Sequence, residues 1–341
     1  MVRWHHIWFS GTLNNLNIKS MKTKKLLIPV MLMLSSIFFI QCAKDDDTTP
    51  SDGAKGQLTM SITDAPSDDA NVKGTFVTIS EVKIDGKTVE GFTKQTIEIS
   101  AYQNGNAKLL YDGEVEAKAH SSVTLVMDYE SDASGNSPGC YVLTNDNQKH
   151  RLAATSETKG EISLSKAFVV EENSDTELVI DFDLRKSIVH DTNDQDQTDY
   201  RFVTRTELNN SVRIMKKESC GDVKGKLTAS AFLNEDVYVF IYKKGQYNAS
   251  VETMGQGSSN VFFAKAVTSA EVEQDGDYHL AFIEEGDYEV YIAKYEKDAD
   301  NKSVFKGMVN ATSAIPGLLL NNIQVSAQSQ IQLNINVTGI N

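Results

Sequence analysis

The chain is short of most of the residues on which catalysis and metal binding rely. Among 341 residues there are three cysteines, six histidines, two tryptophans and five prolines. No two cysteines stand at C-x-x-C spacing, which excludes a thiol redox centre or a local zinc knuckle. The zincin HExxH and the Walker lysine loop are missing, and the histidines are scattered without a ligand partner at near spacing. Positive charge is scarce too: 33 basic residues face 47 acids, for a net charge of −14. That balance gives no basic patch for a nucleic acid. Long helical periods are also absent, since no stretch keeps apolar residues at i, i+3, i+4 and i+7.

What is present begins at Met21. Lys22, Lys24 and Lys25 precede an unbroken apolar run from Leu26 to Ile40, too short to span a bilayer comfortably, which ends at Gln41-Cys42. This order resembles a bacterial lipoprotein signal, in which the cysteine is acylated, with palmitate among the chains, and becomes the first mature residue. A signal-anchor helix with an incidental cysteine is the alternative. After Cys42 come Ala43, Lys44, Asp45, Asp46 and Asp47, which resemble the surface-export tag of Bacteroidota lipoproteins; a plain solvated tether would also be acidic. The expected address is therefore the outer membrane, lipid-anchored and facing out. Residues 1–20 lie upstream of a complete signal and are expected to be a start assigned too early.

Removing residues 1–41 takes away five basic residues, no acids and both tryptophans, so the remaining 300 residues carry a net charge of −19. Residues 42–55 read as a lipidated acidic tether, with Thr48 to Lys55 free of any apolar period. Beyond it, short alternating runs predominate: Leu58, Met60 and Ile62; Phe76 to Ile84, closed by Asp85-Gly86; Val123, Leu125, Met127 and Tyr129; Ile162, Leu164, Phe168 and Val170; Leu178, Ile180, Phe182 and Leu184. These predict an all-β chain of two consecutive antiparallel β-sandwich-like domains, residues 56–217 and 218–341. Lys55 to Ser61 (KGQLTMS) is echoed by Lys224 to Ser230 (KGKLTAS), each as a first strand leaving a linker. In the second domain Val237 to Tyr242 reads as a strand buried on both faces, and Gly276 to Tyr295 as a hairpin turning at Glu285-Gly286-Asp287.

Three motifs, GQLTMSITDAPSDD (Gly56 to Asp69), VTISEVKI (Val77 to Ile84) and DFDLRKSIV (Asp181 to Val189), resemble the lipoprotein family catalogued as domain of unknown function 4382, over roughly Gly56 to Met215. The resemblance implies a β-sandwich, usually lipid-anchored, with no established activity. The string from Gly276 to Tyr295 is similar to the closing hairpin of transthyretin-like and carboxypeptidase-regulatory-like modules.

Alternation along DFDLRKSIV puts Asp181 and Asp183 on the face away from Phe182 and Leu184, where an ion-pair ladder with Arg185 or Arg201 is expected ahead of a functional acid pair. Asp64 is suited to shape the turn before Pro66. Cys140 and Cys220 are either a disulfide, which an oxidising compartment permits, or two buried singletons. Asp191, Asn193, Asp194, Asp196 and Asp199 crowd oxygen side chains into one loop, which is either a structural Ca²⁺ site or a solvated acidic loop. No other cofactor is expected. The function that follows is a non-catalytic, surface-exposed binding or structural module with a protein or glycan partner. A glycan-binding or fimbria-like adhesion subunit, or a β-sandwich hydrolase, is the alternative.

Overall fold

The computed structural model describes residues 53–340 apart from 68, 70, 155, 191–199, 229–235 and 298–302. Cys42, the Lys44 to Asp47 tag and the acidic loop from Asp191 to Asp199 therefore lie outside the described residues. Residues 52–341 form one compact unit, almost entirely of strands.

Its first part is two sheets packed face to face. The strands used below are β1 (Lys55–Thr63), β2 (Val72–Ile84), β3 (Lys108–Glu116), β4 (Ala119–Asp128), β5 (Tyr141–Thr144), β6 (Lys159–Val169) and β7 (Asp175–Phe182), then helical turns α1 (Leu184–Ser187) and α2 (Arg205–Ser211), and β8 (Val212–Lys216). One sheet has the order β8-β7-β1-β3; the other runs from the short strand Lys149–Arg151 through β5, β2 and β4 to β6. Leu58, Met60 and Ile62 of β1 meet Val123, Leu125 and Met127 of β4 in a single buried cluster, the packing expected of aligned sheets. The Asp85-Gly86 turn forms as read, with both residues at positive φ (48° and 78°).

The second part is one rolled sheet of nine strands. Its main members are β9 (Cys220–Thr228), β10 (Asp236–Lys243), β11 (Thr268–Glu271), β12 (Asp277–Glu284), β13 (Gly286–Lys297), β14 (Ser303–Ser313) and β15 (Ile335–Ile340), in the order β11-β10-β13-β14-β15-β9-β12. The terminal strands β11 and β12 come to lie beside each other. Val237, Val239 and Ile241 of β10 point into the rolled core, and Tyr238, Phe240 and Tyr242 into an aromatic cluster with Phe263 and Tyr295 on the outside. Both faces of β10 are thus buried.

Three expectations are corrected. The sheets are not purely antiparallel, because β1 runs parallel to β7, and β9 runs parallel to β15 and to the short strand Gln330–Gln332. β12 and β13 do not form a hairpin: β12 pairs with β9, whereas β13 pairs with β10 and β14. The turn at Glu285-Gly286 instead carries the chain from one wall of the roll to the other, so Tyr278 and Leu280 face Tyr288 and Val290 across the core. Finally, the strand does not continue through DFDLRKSIV. β7 stops at Phe182, and the Asp183 side chain accepts the Lys186 N–H to start α1.

The internal echo has a structural counterpart. β1 and β9 each combine parallel with antiparallel pairing: β1 with β7 and β3, β9 with β15 and Gln330–Gln332 on the parallel side and β12 on the antiparallel side. In both, the shared glycine touches a backbone carbonyl. A Cβ on Gly56 would lie 2.1 Å from Glu171 O, and one on Gly225 2.0 Å from Leu333 O.

Candidate functional site

The charged residues of the TDAP and DFDLRKS motifs come together because β1 and β7 are parallel, which places their C-terminal ends side by side. Asp181, opposite Arg213 in the β7–β8 register, pairs with that guanidinium at 2.7 Å. Asp183 takes Arg185 at 3.4 Å and Lys186 at 2.9 Å. Asp64, just past β1, accepts from Gln103 Nε2 (3.0 Å) and from the Leu184 N–H (3.3 Å). All three carboxylates are buried. Burial pushes the Asp64 carboxyl well above the usual range, and the neighbouring charges of Asp181 and Asp183 push it further.

The basic partners reach onward into the second part of the fold. Arg213 donates to Phe282 O at 2.7 Å, and Arg185 to Phe262 O and to Phe263 O, the latter at 3.3 Å. Lys186 donates to Ala266 O at 3.0 Å, and Tyr238 donates back to Ser67 O at 3.2 Å. Arg185 also lies over the Phe240 ring, 5.1 Å from its centroid. Two of the acceptors are held in an unusual backbone state. Phe263 and Phe282 sit at φ 51° and 52°, a region costly for a bulky residue and retained only where surroundings impose it. In β12 the bulge opposite Gly221 and Val223 turns Phe282 out of the rolled core, against Val179, Met215 and Cys220.

A second contact across the same seam involves the glycine-rich loop Gly255 to Ser259. Its Ser259 N–H (3.1 Å) and hydroxyl (2.6 Å) donate to Glu207, which also closes the capping box of α2 with Thr204. Burial raises the Glu207 pKa, but these donors outweigh it and hold the carboxyl at about 2. The anion in this loop is a side chain of the same chain, not a phosphate.

Several expected sites are relocated by this geometry. Asp64 ties β1 to Gln103 and α1 rather than shaping its own turn. Asp181 and Asp183 are ion-paired as expected, Asp183 with Arg185, but the pairs are buried and the cross-strand partner of Asp181 is Arg213 rather than Arg201. Cys140 and Cys220 are both free and buried. Cys140 lies in the core of the first sheet pair, and Cys220 lies at the seam beside Val179 and Met215. Burial pushes their thiols to about 12 and about 11, so neither is a reactive nucleophile. Gly135-Asn136-Ser137-Pro138-Gly139 spells GxSxG, but it is a loop between β4 and β5, exposed from Gly135 to Ser137, with no helix after it, unlike a nucleophile elbow. Among the described residues no three His, Cys, Asp or Glu side chains converge on a metal-sized point.

Two open concavities lie among the described residues away from this seam. A groove of about 530 Å³ lies where β13 and β14 part: they pair from Ile292–Val309 to Lys297–Ser303, after which β14 turns to β15 and the segment 315–321 covers the fork. Val290, Ile292, Val309 and Leu318 line it together with Asn310 and Thr312, and no charged residue does. The other, about 270 Å³ and near Gly53, is lined by lysines and carboxylates in mixture, among them Lys87, Lys118, Glu90 and Glu116.

Residues 55–202 match the model of a family described as a domain of unknown function (DUF4382), which bears out the resemblance read from the three motifs. No curated protein matches the chain in sequence. Among solved structures it is similar to the Bacillus anthracis TIE protein (11% identity, 84% of this chain, TM-score 0.18) and spans 34% of that protein's length. It is also similar to the major pilin subunit of Bacillus cereus (11% identity, 84% of this chain and 70% of that one, TM-score 0.20). A third is the minor pilin of Streptococcus agalactiae (12% identity, 84% and 97%, TM-score 0.19). The transthyretin-like resemblance loses its basis with the hairpin that carried it. Among the described residues no helix is long and apolar enough to cross a membrane.

Proposed function

We propose that this protein is a lipid-anchored module of the outer cell surface that acts by binding or spacing, without catalysis. The observation that supports this reading most is the fate of the motif charges. Asp181, Asp183, Arg185, Lys186 and Arg213 could on sequence alone be acid–base groups, but they are spent on joining two β bodies. A side chain already committed to a buried carbonyl cannot also serve a substrate. The uncharged groove at the β13–β14 fork favours binding as the mode of action, with a glycan or an edge-adding strand of an adhesion partner as the second reading. The anchor follows from the order of Lys22 to Lys25, the apolar run and Cys42.

Replacing Cys42 tests the anchor. The unmodified chain is expected in the outer-membrane fraction and labelled by a palmitate analogue, and Cys42→Ala is expected to be unlabelled and lost from that fraction. A Cys42→Ala chain that stays with the membrane would overturn the lipid-anchor reading.

A further inference from the structure

The groove at the β13–β14 fork has an open sheet edge along one side. The register that sets Ile292 opposite Val309, carried one step on, would set Val290 opposite Ala311. Instead the Val290 N–H donates to Leu320 O at 2.7 Å, and β14 runs on to Ser313 beside β15. Which way its backbone groups point follows from that second pairing. The Ala314 N–H donates to Asn334 O at 2.8 Å, in the register that also sets Thr312 opposite Asn336, so Thr312 and Ala314 face β15. Strand alternation then turns the N–H and C=O of Ala311 and Ser313 the other way, into the fork. Among the described residues no strand pairs with them there.

We propose, taking the binding role above as given, that this edge receives an extended, uncharged peptide segment of another protein, which adds to β14 as a strand and lays aliphatic side chains against Val290, Ile292 and Leu318. Three features of the edge fit. The groups on offer are an N–H and a C=O from alternate residues, the pattern that a second strand matches. The groove lining holds no charge in a chain of 33 basic and 47 acidic residues, so a charged guest would be desolvated there without a partner. The edge is also unguarded. The outer strand β3 carries Lys108, Asp112, Glu114 and Glu116, the usual protection of an edge, whereas β14 after Val309 reads Asn-Ala-Thr-Ser.

Length and lining narrow the guest further. From Val309 to Ser313 the free edge measures about 13 Å, at a strand's rise of about 3.3 Å per residue, which suits a segment of roughly four or five residues. Leu319, 59% exposed, lines the groove as well and offers the guest an apolar contact at its open side. A sugar ring is served less well. Tyr291 is the one aromatic side chain among the lining residues, and Tyr247 already stacks on it at 3.7 Å, which takes one of its two faces.

The experiment is residue-resolved amide hydrogen exchange of the full-length protein with the peptide acetyl-Thr-Val-Thr-Val-Thr-amide. At about ten times its Kd, the amides of Ala311 and Ser313 should exchange about tenfold more slowly, and that of Thr312, which faces β15, should not change. Peptides N-methylated on the valines or on the threonines keep their side chains but each loses the donors of one edge, so one should bind about tenfold more weakly or worse and the other should bind as before. Leu319→Asp is expected to fold normally, because the side chain is exposed, and to weaken binding about tenfold; Ala311→Pro, which removes an edge donor, should abolish it. No protection at millimolar peptide would overturn the proposal. With Cys42-dependent surface display intact, that result leaves the module reading standing; loss of display with peptide binding intact does the reverse. Equal binding of both methylated peptides would overturn strand addition. Protection by cellopentaose in place of the peptide would overturn it in favour of a glycan. Self-association that the peptide abolishes would overturn the assignment to another protein and make the guest a second copy.

Discussion

Asp183→Ala should lower the stability of the folded chain by about 3–5 kcal/mol, the cost of removing one partner from a buried ion pair. The carboxylate is 1% exposed and has three tasks: it caps α1, pairs with Arg185 and pairs with Lys186. Truncation leaves both bases buried without their counter-charge, still pointed at Phe263 O and Ala266 O across the seam. Solvent cannot make up the loss, because Arg185 and Lys186 are themselves buried. Asp183→Asn keeps a capping oxygen and should cost less than the alanine, so the difference between the two isolates the charge from the cap. Urea unfolding of the two variants checks this. A loss below about 1 kcal/mol for Asp183→Ala would mean that the seam is wet and the pairs behave as surface pairs do.

Gly225→Ala is the second large effect. The new methyl would lie 2.0 Å from Leu333 O, and a carbonyl in a parallel neighbour cannot step aside as the tip of a side chain can. Inserting a methylene into a packed interior costs about 1–3 kcal/mol where neighbours relax. With only the backbone of Leu333 and Asn334 to yield, the cost should be at or above the top of that range, and β9 should lose register with Gln330–Gln332. Gly56→Ala, 2.1 Å from Glu171 O, should behave alike in the first part of the fold. Gly339→Ala, whose nearest heavy atom is 3.8 Å away, is the control and should change stability by less than about 0.5 kcal/mol. Soluble yield and thermal unfolding of the three variants distinguish them. Equal behaviour of Gly225→Ala and Gly339→Ala would refute the close approach.

Period-two alternation reports which face of a strand is buried, and there the sequence was a good guide: Leu58, Met60, Ile62, Leu178, Ile180 and Phe182 all enter one core. Alternation does not report which strand lies alongside. Tyr278 to Leu280 and Tyr288 to Ile292 look like the arms of a hairpin because both face the same core, yet they belong to opposite walls of the roll. The glycine echo carried more than seven residues suggest, since it marks a backbone contact made twice. Asp183 was misread because an aspartate after a strand can either continue it or cap a helix, and only the Lys186 N–H decides. The seam itself was not legible. Asp64, Asp181 and Arg213 are far apart in the chain, and their carbonyl partners at Phe263 and Phe282 have no side-chain signature at all.

The central claim is that an acylated Cys42 and its acidic tag present the β body to the outside. Protease shaving of intact cells, with mass spectrometry of released and retained peptides, tests it most directly. The account predicts that peptides between Gly56 and Asn341 leave unbroken cells while a periplasmic control stays intact. Release of those peptides only after lysis would contradict it and place the module, and its partner, inside the envelope.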